Sequence, residues 1–309
     1  MKIKVLGSSA GGGFPQWNCN CPNCDGFRRG TVDALRRTQS SLAVTTNNAD
    51  WLLVNASPDI LAQIASNTEL QPARAVRDSG IAAILAMDAQ IDHVSGLLML
   101  REHHCPLPLY ATASVWQDLS SGFPIGPILS SYCRIERRQI PAVGGDGATL
   151  AIPFLTDVKV TALALTSNAP PYSPRRNSPV AGDNIGLVFE NSATGKRAFY
   201  APGLGVIEPH VMAAMCSADL LLIDGTFWTD DEMIRLGLSS KTGADMGHLA
   251  LTGTGGMIEV LDTIARPNVR KVLVHINNTN PILRERGPER AELERHGIEV
   301  AHDGMQFEM

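Results

Sequence analysis

The sequence contains no long apolar segment. No stretch reaches the about 18–20 apolar residues that a membrane-spanning helix needs. The chain is apolar for only a few positions after Met1 before Ser8 and a group of glycines follow, whereas a secretory signal has a longer apolar core. We therefore expect a cytoplasmic protein without membrane insertion.

The sequence also has no excess of positive charge. It holds 26 Lys and Arg against 31 Asp and Glu, a formal net charge of −5. Proteins that bind nucleic acid by its phosphates present clustered basic residues, so we expect no nucleic-acid partner. With 309 residues and 44% hydrophobic content, the chain can still bury a large core.

Several common catalytic motifs are missing. No Gly-x-Ser-x-Gly elbow is present, which argues against a serine hydrolase. The loop Gly11-Gly12-Gly13-Phe14-Pro15 follows a predicted strand, but it lacks the Lys-Ser/Thr ending of a phosphate loop and the spacing of a dinucleotide fingerprint. We interpret this loop as a flexible turn that brings the cysteines after it into place.

Cysteines are few but clustered. Three of the six stand in Cys19-Asn-Cys21-Pro-Asn-Cys24, a spacing that puts three thiolates within reach of one ion. Disulfides are unusual in a reducing cytosol, and soft thiolates select zinc. We therefore predict a structural Zn²⁺ site rather than a redox dithiol. Its fourth ligand must come from elsewhere, and Asn278 and His302 are the candidates.

The order of the predicted elements indicates a fold with two sheets. Strands are predicted over residues 2–6, 40–46, 51–55, 81–86, 107–111, 158–165, 185–190, 197–201, 220–223, 269–276 and 299–301, and helices over residues 57–66, 94–104, 114–120, 253–264 and 289–296. Strands come first in each half and helices later. That order suits an αββα sandwich of two mixed sheets with helices outside, in the α/β (α+β) class, better than a doubly wound parallel sheet.

Neither a repeat nor a linker divides the chain, so we expect a single domain over residues 1–309. One long irregular segment, residues 167–183, contains four prolines and Arg175-Arg176. Loops of that length inside compact domains are often lids or binding loops. A disordered excursion is the alternative that the sequence leaves open.

The first candidate site follows the predicted strand over residues 81–86. The loop there reads Met-Asp88-Ala-Gln-Ile-Asp92-His93. A carboxylate and an imidazole that leave a buried strand together are a reasonable start on a transition-metal site. In the alternative interpretation, Asp88 and Asp92 cap the following helix and His93 lies in its first turn.

A second histidine favours the metal. His275 ends the apolar strand over residues 269–276, and with Asp92 and His93 it completes two histidines and one carboxylate. Such a facial set with open positions suits non-haem iron(II) and oxygen chemistry, so we predict Fe²⁺ in the active site. Considered alone, His275 would be interpreted as a satisfied core residue.

Three further residues are candidates for catalytic roles around that metal: Asp88, Asp224 and His248. Either carboxylate could orient a histidine or serve as an extra ligand, although Asp224 also fits a turn before Gly225. His248 could donate a proton or contact substrate, or it could be a polar residue at a helix start. The pair His103-His104 closes a predicted helix, and we interpret it as a contact with the helix dipole rather than as ligands.

The chain resembles the pyrroloquinoline quinone (PQQ) biosynthesis protein B family, a branch of the metallo-β-lactamase superfamily. The resemblance covers nearly the full length. It rests on five segments: VLGSSAGGGFPQWNCNCPNC from Val5, MDAQIDHVSG from Met87, IDGTFW from Ile223, DMGH from Asp245 and HINNTNP from His275. The first of these segments is specific enough to support the resemblance by itself.

The resemblance also marks where this chain departs from the superfamily. In its HxHxDH motif, Asp88 and Gln90 occupy the two leading histidine positions. Thr166-Ser167-Asn168 stands where relatives in phosphonate breakdown place a third histidine, and Pro202 stands near the expected bridging aspartate. Those relatives also have a histidine in place of Asn278. The comparison implies that the second metal site has lost its ligands.

The resemblance implies iron- and oxygen-dependent hydroxylation of the tyrosine in a Glu-Tyr unit cut from a precursor peptide. The partners would be that small peptide-derived precursor, or PQQ, and molecular oxygen. The two-histidine, one-carboxylate set would hold the iron, and the three catalytic candidates would position ligands, substrate or protons. From their charge alone, Arg175 or Arg176 would meet substrate carboxylates. An oligomer is compatible with the sequence.

Two other functions stay open. A non-catalytic carrier would deliver PQQ or its precursor for export to the periplasm and would bind the product without turnover. A residual metal-dependent hydrolase would hold zinc at Asp92, His93 and His275 and would need no oxygen. We rank the oxygenase first, the carrier second and the hydrolase third.

Overall fold

Two seven-stranded sheets form the centre of the computed structural model, which describes residues 1–309. The strands are β1 Lys2–Gly7, β2 Ser41–Thr45, β3 Trp51–Val54, β4 Ile81–Leu85, β5 Leu107–Ala111, β6 Ile135–Gln139, β7 Ala148–Leu150, β8 Val158–Ala164, β9 Ile185–Asn191, β10 Arg197–Ala201, β11 Leu220–Asp224, β12 Arg270–Val274, β13 Ile298–Val300 and β14 Gln306–Glu308. The first sheet has the order β14-β1-β2-β3-β4-β5-β6, and the second has the order β13-β12-β11-β10-β9-β8-β7.

Both sheets are mixed in the same way. The pairs from β3 to β6 are parallel, as are those from β10 to β13, and the remaining pairs are antiparallel. Parallel strands need crossover connections, and every helix except α1, which lies between the antiparallel strands β1 and β2, lies in one of these connections. The helices are α1 Pro22–Arg29, α2 Ile60–Ser66, α3 Ile91–Val94, α4 Ala113–Gln117, α5 Ile125–Leu129, α6 Pro209–Ser217, α7 Glu232–Arg235, α8 Gly243–Met246, α9 Met257–Asp262 and α10 Pro288–Arg295.

Three apolar clusters separate four layers. The central cluster joins the facing sides of the two sheets and includes Leu52 and Leu187. A second cluster packs the outer helices, with Leu293 among them, against the second sheet. A third packs Ile60 and Trp116 against the first sheet. The predicted αββα sandwich is confirmed, and the shared central core is what we would expect of one domain over residues 1–309. None of the helices combines the length and the apolar content that crossing a bilayer requires.

The two sheets meet at the edge where β1, β4, β11 and β12 end. Ile276 donates its backbone N–H to Ser8, and Ala10 donates its own to Ile276, both at 2.9 Å. A parallel bridge between Ser9 and Ile276 completes the junction. The loops that leave these four strands therefore lie side by side, and they carry the residues predicted to bind metal.

The predicted helix over residues 94–104 is wrong. Helix α3 ends at Val94 and a single 3₁₀ turn, Ser95–Leu98, follows it. The carbonyl oxygen of His93 accepts the Ala56 N–H at 2.7 Å, and the Gly96 N–H donates to the Ala56 carbonyl at 2.9 Å. Because these groups bind the loop after β3, they cannot propagate a helix. A Cβ at Gly96 would lie 2.1 Å from the carbonyl oxygen of Ser57, so only glycine permits this approach.

Candidate metal centre

Asp92, His93 and His275 point their side chains at one another. Asp92 Oδ2 lies 3.8 Å from His93 Nε2 and 3.6 Å from His275 Nε2, and the three groups are close enough to share an ion. Ligand atoms at about 2.0–2.2 Å from a common ion lie about 3.0–3.5 Å from one another, so a small contraction would suffice. His93 Nε2 is buried and has no hydrogen-bond partner, which is the state expected of a metal ligand.

Asp88 orients His93 for that role. Its two oxygens lie 2.9 and 2.8 Å from His93 Nδ1. An Nδ1–H that donates to a carboxylate leaves the lone pair of Nε2 free for a metal. Burial lowers the pKa of His93, but the carboxylates of Asp88 and Asp92 outweigh it and raise the pKa to about 9. Neither aspartate caps α3, whose first turn has no side-chain cap, so the capping interpretation is not supported.

Thr226 plays the equivalent part for His275. Its hydroxyl oxygen lies 2.9 Å from His275 Nδ1 and 2.6 Å from Asp224 Oδ1. A hydroxyl has one proton to donate, and the carboxylate takes it, so His275 Nδ1–H donates to Thr226 and Nε2 faces Asp92. His275 turns the chain at φ 56°, a left-handed conformation that is uncommon outside glycine. Sequence reasoning missed Thr226, because a threonine after a strand-end aspartate is an ordinary turn residue.

Asp224 orients His248. Its Oδ2 lies 2.6 Å from His248 Nδ1 and accepts the Leu204 N–H at 2.8 Å, while Oδ1 accepts the N–H and hydroxyl of Thr226. Both oxygens of this fully buried carboxylate are thus in use. Burial lowers the pKa of His248, but the Asp224 carboxylate outweighs it, and the pKa is raised. His248 stacks on His275 with 5.3 Å between ring centroids, which places it beside the candidate centre.

The structure also brings the three clustered cysteines together. Their sulfurs lie within 4.8 Å of one another, and all three residues are buried. Cys21 caps α1, whose first turn carries Cys24. The amide of Asn278 lies 3.1, 3.5 and 3.4 Å from the sulfurs of Cys19, Cys21 and Cys24. Hydrogen bonds from Cys21 and Asn278 lower the pKa of Cys24 to about 7, although burial opposes this.

These contacts suit a tetrahedral zinc site with three thiolates. Rotation of the Asn278 amide by half a turn would present its oxygen to the ion. His302, the other candidate for the fourth ligand, is exposed, and its Nδ1 lies 3.0 Å from the carbonyl oxygen of Asp303, away from the cysteines. Of the two candidates, the structure therefore places only Asn278 at the cluster.

The cysteine cluster and the histidine set share one turn of chain. His275 and Asn278 are three residues apart, and the Asn23 amide donates to the carbonyl oxygens of Asn278, Thr279 and Asn280 at 3.1, 3.0 and 2.9 Å. On the opposite side, a Cβ at Gly11 would lie 3.1 Å from Asp92 Oδ2. The loop that carries the cysteines therefore contacts both the turn after His275 and the side chain of Asp92.

Residues 167–183 pack over the loop that carries Asp88. The Tyr172 hydroxyl donates to the carbonyl oxygen of Ala89, and the Gln90 amide approaches the carbonyl oxygen of Asn168 at 3.5 Å. This segment therefore packs as a cover over that loop, which favours the lid or binding-loop interpretation.

Two ion pairs of Arg175 hold the cover in place. Arg175 lies 2.8 Å from Asp118 and 3.1 Å from Asp183. Arg176 donates to the carbonyl oxygen of Ala169 at 2.6 Å. Because both guanidinium groups bind the protein itself, the structure does not support a role for them on substrate carboxylates.

Known proteins with the same sequence pattern identify the family. Residues 50–276 match the family model for the beta-lactamase superfamily domain. Over 305 residues the chain is 62% identical to coenzyme PQQ synthesis protein B of Cupriavidus necator and 61% identical to that of an Azoarcus species. These alignments cover 99% of this chain and 98% and 99% of the two relatives. The chain belongs to the coenzyme PQQ synthesis protein B family.

Solved structures agree with that assignment. The crystal structure of Zn²⁺-bound PqqB from Methylobacterium extorquens is 37% identical, with a TM-score of 0.89 over 100% of both chains. A diphosphatase of the PhnP family is 18% identical, with a TM-score of 0.68 over 100% of this chain and 97% of its own, and it shares the fold alone. The resemblance predicted from the sequence is confirmed.

Proposed function

We propose that this member of the PqqB family acts in PQQ synthesis as a mononuclear iron(II) hydroxylase. Its substrate would be the tyrosine of a Glu-Tyr unit from a precursor peptide, with molecular oxygen as co-substrate. The observation that supports this most strongly is the buried, unpartnered Nε2 of His93, which faces Asp92 and His275. Two imidazoles and one carboxylate on one side of an ion leave the other side open.

The residues around this set fit a mononuclear site. On the family resemblance, a second metal would need ligands near Thr166 and Pro202. The Thr166 hydroxyl instead donates to Glu208 at 2.9 Å, and proline offers no ligating side chain. When bound at Asp92, His93 and His275, iron(II) would supply the activation of oxygen at its open positions.

The protein's own side chains would supply the protons that the reaction consumes. Hydroxylation of a phenol ring by molecular oxygen puts one oxygen atom into the product and releases the other as water. Two protons and two electrons, the latter from an external reductant, balance this reaction. His248 holds its Nδ1 against Asp224, which leaves Nε2 as the atom from which a proton can pass. The raised pKa of His248 favours its charged, proton-donating form.

The cover segment would keep bulk water away from the reacting atoms. The contacts of Tyr172 with Ala89 and of Asn168 with Gln90 place it against the same loop that carries Asp92 and His93. Exclusion of water strengthens electrostatic interactions in the site and prevents side reactions of the activated oxygen.

The test is metal analysis and turnover of protein purified without oxygen. We expect wild-type protein to hold one iron in addition to the zinc of the cysteine cluster, and a His93→Ala, His275→Ala double variant to keep that zinc and lose the iron. The matched control is His302→Ala, which removes an exposed imidazole away from the site and should change neither metal. On addition of oxygen and a reductant, a Glu-Tyr peptide should gain the mass of one oxygen atom with wild type only.

Three results would contradict the proposal. Iron content and hydroxylation that survive in the double variant would refute the ligand assignment. Zinc at this centre with oxygen-independent cleavage of substrate would indicate the hydrolase. Tight binding of PQQ without turnover, and with only the cysteine zinc present, would indicate the carrier.

A further inference from the structure

A second group of metal-ligating side chains lies away from the candidate centre. His103, His104 and Cys105 follow one another just before β5, and their ligand atoms lie within 4.8 Å of one another. The two imidazole rings stack with 4.8 Å between their centroids. Neighbours in sequence often point apart, so this convergence is a property of the local backbone.

The spacing of two of the atoms matches a shared ion. His103 Nδ1 lies 3.6 Å from Cys105 Sγ. A tetrahedral zinc with N at about 2.0 Å and S at about 2.3 Å places these two ligands about 3.5 Å apart. The separation of these two atoms is thus already that of two ligands on one zinc.

The hydrogen bonds of these side chains stay within the cluster. The predicted helix that His103 and His104 were expected to close does not exist, because the backbone after Leu98 continues only as turns. His103 Nδ1 contacts the backbone carbonyl oxygen of Cys105 at 2.8 Å, a bond that an ion would replace. His104 and Cys105 are exposed, so an ion can reach them directly from solvent.

The charged residues nearby are already paired with one another. A groove of about 570 Å³ adjoins the cluster and is lined in part by Arg74, Asp78 and Glu136. Arg74 lies 3.0 Å from Asp78, and Glu136 pairs with Arg138. The imidazoles and the thiol are therefore the side chains here that have no charged partner and can ligate an ion. Water in the groove can provide a fourth ligand.

We propose that His103, His104 and Cys105 bind one Zn²⁺ at a site separate from the two described above. Two imidazoles and one thiolate are ligands that zinc prefers. The cluster adjoins the amino ends of β4 and β5, whereas Asp92 and His93 follow the carboxyl end of β4. The five residues of β5 span about 16 Å at about 3.3 Å per residue. The two sites therefore lie at opposite ends of the strands of the first sheet.

The experiment is a zinc titration of the whole protein in competition with a chromophoric chelator, and a parallel titration with Co²⁺ followed by its thiolate charge-transfer absorbance. The test variant is His104→Ala with Cys105→Ser. The matched control is Cys216→Ser, which removes an exposed thiol on α6 that belongs to no ligand cluster. Because the altered side chains are exposed, the test variant should fold like wild type, and thermal unfolding checks this.

We expect wild type and the control to bind one equivalent of Zn²⁺ more than the test variant, or to bind that equivalent at least tenfold more tightly. The cobalt absorbance from this site should vanish in the test variant while the absorbance from the Cys19 cluster remains. Equal zinc stoichiometry and affinity in wild type and the test variant would overturn the proposal. Loss of the same equivalent in Cys216→Ser would overturn it as well.

Discussion

Replacement of Thr226 by valine should weaken metal binding at the candidate centre without changing any ligand. Valine has nearly the shape of threonine but no hydroxyl, so the buried His275 Nδ1 loses its partner and Asp224 Oδ1 loses its hydroxyl donor. A hydrogen bond to a charged group contributes about 1.5–3 kcal/mol. Loss of a group that orients a metal ligand typically reduces metal affinity by about 10–100-fold, which equals about 1.4–2.8 kcal/mol. The two magnitudes agree.

The assay is anaerobic titration of Fe²⁺ against a chelator, with urea unfolding of the metal-free protein measured in parallel. Thr226→Ser keeps the hydroxyl and is the matched control, so it should bind iron within a few-fold of wild type. We expect Thr226→Val to bind iron at least tenfold more weakly and to keep its zinc. Equal iron affinity in wild type and Thr226→Val would refute the assignment of the His275 proton to Nδ1 and the role of Thr226.

Three more predictions follow from described contacts. Asn23→Ala removes three hydrogen bonds to the turn after His275. It should weaken iron binding several-fold in the same titration, although Asn23 contacts none of the proposed iron ligands. Unchanged iron affinity would show that this turn does not support the proposed iron site. Arg175→Ala leaves Asp118 and Asp183 without their buried partner, so we expect a loss of about 3–5 kcal/mol in the free energy of unfolding and faster proteolysis within residues 167–183. Burial already raises the pKa of Asp118, although hydrogen bonds and charge from Ser173 and Arg175 lower it. A carboxyl whose pKa is raised in the folded state destabilises the fold as pH rises above the pKa of the unfolded state. The loss of unfolding free energy in Arg175→Ala should therefore be smaller near pH 4 than at pH 7, and a pH-independent loss would contradict this. His248→Asn should retain iron and lower the rate of hydroxylation by about 10²–10⁴-fold, and a normal rate would exclude His248 as the proton donor.

The fold was predictable because the pattern of strands and the family motifs agreed. Most predicted strands lie within a residue or two of their position in the structure. Asp92, His93 and His275, which follow the ends of such strands, lie close together as the sequence predicts. This succeeds because buried strands are continuous apolar runs, and because loops at their carboxyl ends are where α/β proteins place ligands.

Long-range hydrogen bonds account for what the sequence did not reveal. The false helix over residues 94–104 has good local propensity, but its first carbonyl is used by Ala56. Thr226 acts through atoms that belong to residues 224, 248 and 275, a relation that no local pattern records. Arg175 looked free in sequence because Asp118 lies 57 residues away along the chain.

The shared turn at His275 has a consequence for the order in which metals enter a newly made chain. The three cysteines precede His93 and His275 along the chain, so they leave the ribosome before those residues and can meet zinc first. The proposed iron ligands His93 and His275 follow strands of different sheets, and they meet only when the second half has folded onto the first. The proposed zinc would therefore be acquired during synthesis and the proposed iron last, by a chain whose turn at Asn278 is already anchored.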